Sequence, residues 1–199
     1  MQKINTSVII LAAGKSSRMG VPKLSLKFDA GKNFLEHVIN EYSEFGCDEI
    51  VVVVNAEGHK YIVKSLQPFP ENVKIAINEY PERGRFHSLK TGCLELSRIH
   101  SVFIHNVDNP FVNQKILNAL LAKNKEYDYV MPSYEGKGGH PVLISKDVVT
   151  TVIPEPDDQQ HLKEFLNRFS SLKEDVDDEK VLVNINNTED YKKYFSDLT

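Results

Sequence analysis

SVIILAAGKSSRMGVPK, residues 7–23, decides the fold. Residues 7–11 form a short continuous apolar run, the pattern of a strand buried on both faces, and the run stops at Ala12, Ala13 and Gly14, where a loop must begin. A strand covered on both sides needs helices above and below it. The sequence downstream supplies them. Residues 34–45 place Leu35, Val38, Ile39 and Tyr42 at helical spacing, with Gly46 as a stop. Residues 50–54 (IVVVV) predict a second buried strand, 59–66 a helix, 73–77 a third strand, and 88–96 a helix with Leu89, Cys93 and Leu96 turned inward. Residues 101–107 (SVFIHNV) predict a fourth core strand, and 113–124 a helix striped by Ile116, Leu117, Leu120 and Leu121. Alternation of this kind predicts parallel βαβ units in a three-layer α/β/α domain.

The rhythm loosens further on. Residues 129–133 and 141–145 predict strands flanking a Gly-rich turn at 135–139, and 154–158 (PEPDD) an acidic loop. Leu162, Phe165, Leu166 and Phe169 mark a helix, 173–179 a charged turn, 181–185 a last strand and 188–194 a closing helix. With 199 residues, 41% of them hydrophobic, and no internal repeat, the chain is expected to form one domain over residues 1–199. The formal charge of −4 leaves no basic field, which argues against a nucleic-acid partner. Cys47 and Cys93 lie far apart without a CxxC or clustered His, so they read as free thiols in a reducing compartment. The longest apolar run near the start, residues 8–13, is too short for a membrane span or a signal peptide. A cytoplasmic protein with no membrane partner is expected.

Open α/β sheets bind ligands beyond the carboxyl ends of their strands, so the loop after the first strand carries the first candidate site. Its small residues leave backbone N–H groups accessible, while Lys15, Arg18 and Lys23 add positive charge. That is a phosphate-binding composition. It is not a Walker A loop, because Ile9 stands where a glycine is needed, and no GxGxxG follows the strand.

Residues 11–23 (LAAGKSSRMGVPK) closely resemble the signature loop of nucleotidyltransferases with a single nucleotide-binding α/β domain. Residues 106–111 (NVDNPF), 138–144 (GGHPVLI) and 184–190 (NINNTED) extend the resemblance over essentially the whole chain. In order and separation these pieces are most similar to the molybdenum cofactor nucleotidyltransferases, the MobA-like NTP transferases, and among them to the cytidylyltransferase branch. The resemblance implies a Rossmann-like fold of the nucleotide-diphospho-sugar transferase kind, with a mostly parallel mixed sheet. It also implies Mg²⁺ as cofactor, an NTP donor with CTP favoured, and a phosphorylated small-molecule acceptor, most plausibly a molybdopterin-type cofactor. Pyrophosphate is the second product.

Residue roles follow from the same resemblance. Arg18 holds the β- and γ-phosphates, Lys23 the α-phosphate region and the acceptor, and Asp108 completes the catalytic set. Leu11, Ala12, Ala13, Gly14, Lys15 and Ser16, together with Gly84 and Ser88 from the loop after the third strand, bind the nucleotide. Arg85, Phe86 and His87 are bulkier or more polar than the matching loop. Asp108 is the metal ligand. Asn186, favoured over Asn184, is the second, where many members carry Asp; either Asn could instead only form a turn. Gly139, His140 and Pro141 face the acceptor, with a purely turn-forming role as the alternative. The chemistry agrees, because an NTP carries about four negative charges that must be neutralised and aligned before another phosphate can attack. No nucleophile stands at recognisable spacing from a base, which suits direct in-line displacement. A sugar-phosphate or alcohol-phosphate acceptor is the alternative substrate. A non-catalytic nucleotide-binding module is left open by Asn184 and Asn186. No hexapeptide-repeat extension is present, so a bifunctional sugar-nucleotide enzyme is not expected.

Overall fold

The computed structural model describes residues 4–16, 19–66 and 68–198. β1 (Thr6–Ala12) is buried along its whole length. Val8, Ile10 and Ala12 enter one apolar cluster and Ile9 and Leu11 the other, as a strand covered on both faces requires. The chain continues through α1 (Phe34–Phe45), β2 (Ile50–Val54), α2 (Ala56–Ser65), β3 (Val73–Ile77), α3 (Gly84–Leu94), β4 (Ser101–Asn106) and α4 (Gln114–Lys123). It then forms β5 (Tyr129–Tyr134), β6 (Lys137–Gly138), β7 (Val142–Ile144), α5 (Lys146–Val152), α6 (Leu162–Leu166), β8 (Ser171–Asp175) and α7 (Thr188–Tyr194).

The sheet runs β3-β2-β1-β4-β7-β5-β6, with β8 paired to β5. β1 to β4 are parallel to one another, and β8 is parallel to β5. β7 is antiparallel to both β4 and β5. The result is a mixed, mostly parallel sheet in an α/β fold. Residues of α1, α2, α4 and α7 pack on one face, and those of α3, α5 and α6 on the other. Asparagines start several of these helices: Asn33, Asn55, Asn113 and Asn187 each accept a backbone N–H of the first turn. Gly92 explains how closely α3 lies on the sheet, because a Cβ there would sit 2.5 Å from Ile9 Cγ2.

Two segments differ from their sequence-based expectation. Residues 173–179 were expected as a turn, yet their first part lies in β8, whose side chains alternate between exposed and half-buried. An edge strand tolerates the charges of SLKED because one flank faces water. Residues 181–185 were expected as a strand but begin in a 3₁₀ turn, Glu179–Leu182, and join no strand pairing among the described residues. Val181 and Ile185 are fully buried anchors there, so the apolar spacing reports burial without pairing. α3 also begins at Gly84, four residues before the first position of its apolar pattern. Among the described residues no helix is long and apolar enough to cross a membrane.

Candidate active site

β1 lies between β2 and β4, so the chain order reverses beside it, and this is where an open α/β sheet leaves a crevice at the carboxyl ends of its strands. A cavity of about 450 Å³ opens there. Its first wall is the β1 loop, from Leu11 to Ser16, with Lys23. The Asn55 side-chain amide donates to the Ala13 carbonyl (3.1 Å), which fixes the start of this loop. The Lys23 N–H donates to Ser16 Oγ (3.0 Å), which brings Lys23 back over it. Lys15 is exposed and also borders an adjoining hollow of about 710 Å³ that reaches Val21, Asn55 and Ile77.

The opposite wall begins where β4 ends, at Asn106, Val107 and Asp108. Lys23 Nζ lies 3.1 Å from Asp108 Oδ2 and 2.9 Å from Asn186 Oδ1. Asp108 Oδ1 is buried and has no hydrogen-bond partner among the described residues. Asn186 reaches this place because its segment is clamped to the β4 loop. The side-chain amide of the fully buried Asn109 lies within hydrogen-bond distance of the carbonyls of Lys180 (3.2 Å), Val181 (3.1 Å) and Val183 (2.6 Å), with one of its two N–H groups shared. The Ile185 N–H donates to the Asp108 carbonyl at 2.7 Å. Asp190 then accepts the N–H groups of Asn186 (2.8 Å) and Asn187 (3.2 Å) at the start of α7.

His140 joins the same wall. Its N–H donates to the Val181 carbonyl (2.9 Å), and its ring Nε2 accepts from the Asn106 amide (3.1 Å). Acceptance at Nε2 puts the proton of the neutral ring on Nδ1, which is buried without a partner. Burial holds the imidazole below its usual basicity; the Asp108 charge opposes this and the Arg85 charge adds to it. Gly139 is a packing requirement, since a Cβ there would collide with the Val181 backbone.

The third wall is the start of α3, with Pro81, Gly84, Arg85 and Ser88. Gly84 turns the chain into the helix at φ 88°, a left-handed conformation that favours glycine. Ser88 Oγ accepts from the Asn78 amide (2.9 Å) and donates to the Gly84 carbonyl (3.3 Å), so its hydroxyl is held in a fixed direction. Arg83 and His87 instead turn to Asp158, at 3.1 and 3.0 Å.

The cavity thus gathers Leu11, Ala12, Ala13, Gly14, Lys15, Ser16, Lys23, Gly84, Ser88, Asp108, His140 and Asn186, and it also includes Asn184. Gly139 and Pro141 adjoin His140 without lining the cavity. Arg18 lies outside the described residues. Sequence reasoning placed Arg85 in the candidate loop of residues 83–88 without giving it a role of its own, and did not single out Asn106 as a lining residue, nor Asn78 and Asn109 as the amides behind the walls. Asn106 and Asn109 both stand in NVDNPF, so that motif held the available signal. No group of three or more His, Cys, Asp or Glu suited to a metal occurs among the described residues. Asp108 is the one carboxylate among the described residues that line the cavity, beside the amides of Asn106, Asn184 and Asn186.

The profile of the MobA-like NTP transferase domain matches residues 8–176. A probable molybdenum cofactor guanylyltransferase of Carboxydothermus hydrogenoformans is 25% identical over 198 residues, covering 95% of this chain and 94% of that protein. The molybdenum cofactor cytidylyltransferase of Escherichia coli K12 is 24% identical over 183 residues, 92% of each chain. The crystal structure of Rv0371c from Mycobacterium tuberculosis H37Rv in complex with manganese has a TM-score of 0.77 and 17% identity, covering 98% of this chain and 100% of that one. At that identity the structural likeness speaks for the fold.

Proposed function

Because the chain belongs to the family of MobA-like NTP transferase domains, we propose that it moves a nucleoside monophosphate from CTP to a phosphorylated small molecule, a molybdopterin-type cofactor, with Mg²⁺ and release of pyrophosphate. The family makes it a nucleotidyltransferase. One observation supports the phosphate chemistry of this reading: Lys23 spans Asp108 and Asn186 at the point where the β1 loop faces the end of β4.

The backbone N–H groups of residues 11–16 and the Lys15 ammonium receive the triphosphate, with Arg18 on its β- and γ-phosphates. Lys23, already within reach of both walls, moves its charge onto the α-phosphate and the incoming acceptor phosphate, where like charges must meet. Gly84 and Ser88 offer the base a fixed hydroxyl and an open backbone. The unpartnered Asp108 Oδ1 and the Asn186 side-chain oxygen fit a hard cation that takes oxygen ligands. When bound, Mg²⁺ neutralises and orients phosphate oxygens. His140 stays neutral and presents its Nδ1–H to the acceptor. None of these roles needs a covalent enzyme intermediate. Two buried thiols among the described residues suit a reducing, cytoplasmic setting, and the reading takes residues 1–199 as one catalytic domain.

GTP is the second reading for the donor, supported by the name of the Carboxydothermus relative. Calorimetric titration of CTP, GTP, ATP and UTP into the wild type and Asp108→Ala, with and without Mg²⁺, tests the proposal. Selective CTP binding that weakens without metal or without Asp108 is expected. Selective GTP binding would redirect the reading to guanylyl transfer, and folded protein that binds no nucleotide would overturn it.

A further inference from the structure

Among the described residues the cavity holds three cations, Lys15, Lys23 and Arg85. Lys23 is engaged by Asp108 and Asn186, and Lys15 belongs to the triphosphate loop. Arg85 enters from the third wall, the start of α3. It is the second residue of α3, three positions before Ser88 and on the same helix face. The other basic groups of this stretch are taken. Arg83 pairs with Asp158 and stacks on Tyr80 at 4.3 Å, His87 shares Asp158, and Lys90 donates to the Glu155 carbonyl at 2.6 Å. The Arg85 side chain has no hydrogen bond or ion pair among the described residues, is exposed, and lies within electrostatic range of His140.

A guanidinium is a planar fork that matches a carboxylate or phosphate through two parallel hydrogen bonds, and here it lines the cavity within electrostatic range of His140, the residue assigned to the acceptor. The phosphates that react are already served by the β1 loop and Lys23. We propose that Arg85 binds a second anionic group on the acceptor, distinct from the phosphate that attacks, so that the acceptor class is a small molecule carrying a phosphate and a further phosphate or carboxylate. This rests on the nucleotidyl-transfer reading but not on its acceptor: a molybdopterin carries one phosphate and no carboxylate, so the inference favours the alternative, a sugar phosphate or alcohol phosphate that bears a second anion.

The test uses protein loaded with Mg²⁺ and the non-hydrolysable α,β-methylene analogue of whichever nucleotide binds. Ethyl phosphate, 2-phosphoglycolate and ethylene glycol bisphosphate are then titrated calorimetrically into the wild type, Arg85→Gln and Arg85→Lys. At least one two-anion probe should bind the wild type tenfold or more tighter than ethyl phosphate, and the identity of that probe separates carboxylate from phosphate. The advantage should fall below twofold in Arg85→Gln and persist in part in Arg85→Lys, with analogue affinity unchanged in both variants. Equal or undetectable binding of the three probes to the wild type would overturn the proposal. So would a loss of analogue affinity in Arg85→Gln, which would make Arg85 a nucleotide ligand. The loading step reads the nucleotidyl-transfer premise separately, since wild-type protein that takes no nucleotide fails before any probe is added.

Discussion

The wall of the cavity formed by the β1 loop and the wall formed by Asp108, His140 and Asn186 are built in opposite ways. The first is one continuous run of chain after one strand, and it offers backbone N–H groups and flexible cations. The second collects side chains from three distant segments and depends on the Asn109 amide and the Val181 carbonyl to hold them together. Phosphate binding tolerates the first design because charge acts over distance. A cation that takes oxygen ligands needs them at fixed positions, and only a buried scaffold supplies that. In the second wall stability and function are therefore coupled through the scaffold of Asn109 and Val181, not through the partly exposed Asp108 that the scaffold supports.

That contrast can be broken most sharply at its functional centre. Asp108→Asn keeps the side-chain shape and removes the charge, so turnover should fall about 10²–10³-fold, the scale seen when one preorganised electrostatic contact is lost. Its melting temperature should barely move, because the Lys23–Asp108 pair is partly exposed at 18% and 26%. Steady-state rates and a thermal melt on the same preparation check both halves, and near-wild-type turnover would remove Asp108 from the mechanism. Asn109→Ala is the converse. Loss of a buried amide that serves three carbonyls should destabilise the protein by about 2–3 kcal/mol and lower its melting temperature by about 5–10 °C. It should also weaken Mg²⁺ binding, although Asn109 touches no ligand; an unchanged melt would show that the clamp holds nothing.

Acid should sharpen the contrast from below the second wall. His105 of β4 is fully buried against Tyr42 Oη (3.1 Å), and burial, with His140 nearby, pushes its imidazole down to about 3. Its folded value lies below its unfolded one, so its contribution to stability is complete above about pH 6.5 and declines as the pH falls toward 3. By pH 5 the loss is about 2 kcal/mol. Urea unfolding at pH 7 and pH 5 measures it, and His105→Gln should lose that part of the pH dependence. An identical slope in the variant would assign the effect to other groups. The smallest change is Asn186→Asp, which gives the second wall another carboxylate and should tighten Mg²⁺ binding about tenfold, roughly 1.4 kcal/mol. Unaltered metal affinity would take Asn186 out of the cation site.

The same division governed what could be read without a structure. β1, β2 and β4 stood out because apolar runs of that length have few alternatives to a buried strand, and the shorter apolar spacing of the edge strand β3 fell between two helical segments. The cationic loop and Asp108 were legible because their residue types lie next to one another or follow a core strand directly. Asn109 was not, since its partners are backbone carbonyls, which leave no mark on residue identity at 180, 181 and 183. Arg85 was hidden by a boundary. Its segment read as loop because the apolar pattern of α3 starts at Ser88, whereas the helix begins at Gly84 and turns Arg85 to the same face as Ser88. Residues 171–175 and 181–185 misled in opposite senses, one charged and extended, the other apolar and unpaired. In both, position relative to the sheet edge overrode composition.

The Lys23–Asn186 contact joins residues 163 positions apart. At ~5–20 residues per second of synthesis, the phosphate loop leaves the ribosome roughly 10–30 s before the residue that closes the cavity behind it. Until then the Asn109 amide lacks its three carbonyl acceptors and the floor beneath Lys23 cannot form. The cavity is thus complete only once residues 180–186 have emerged, long after the β1 loop.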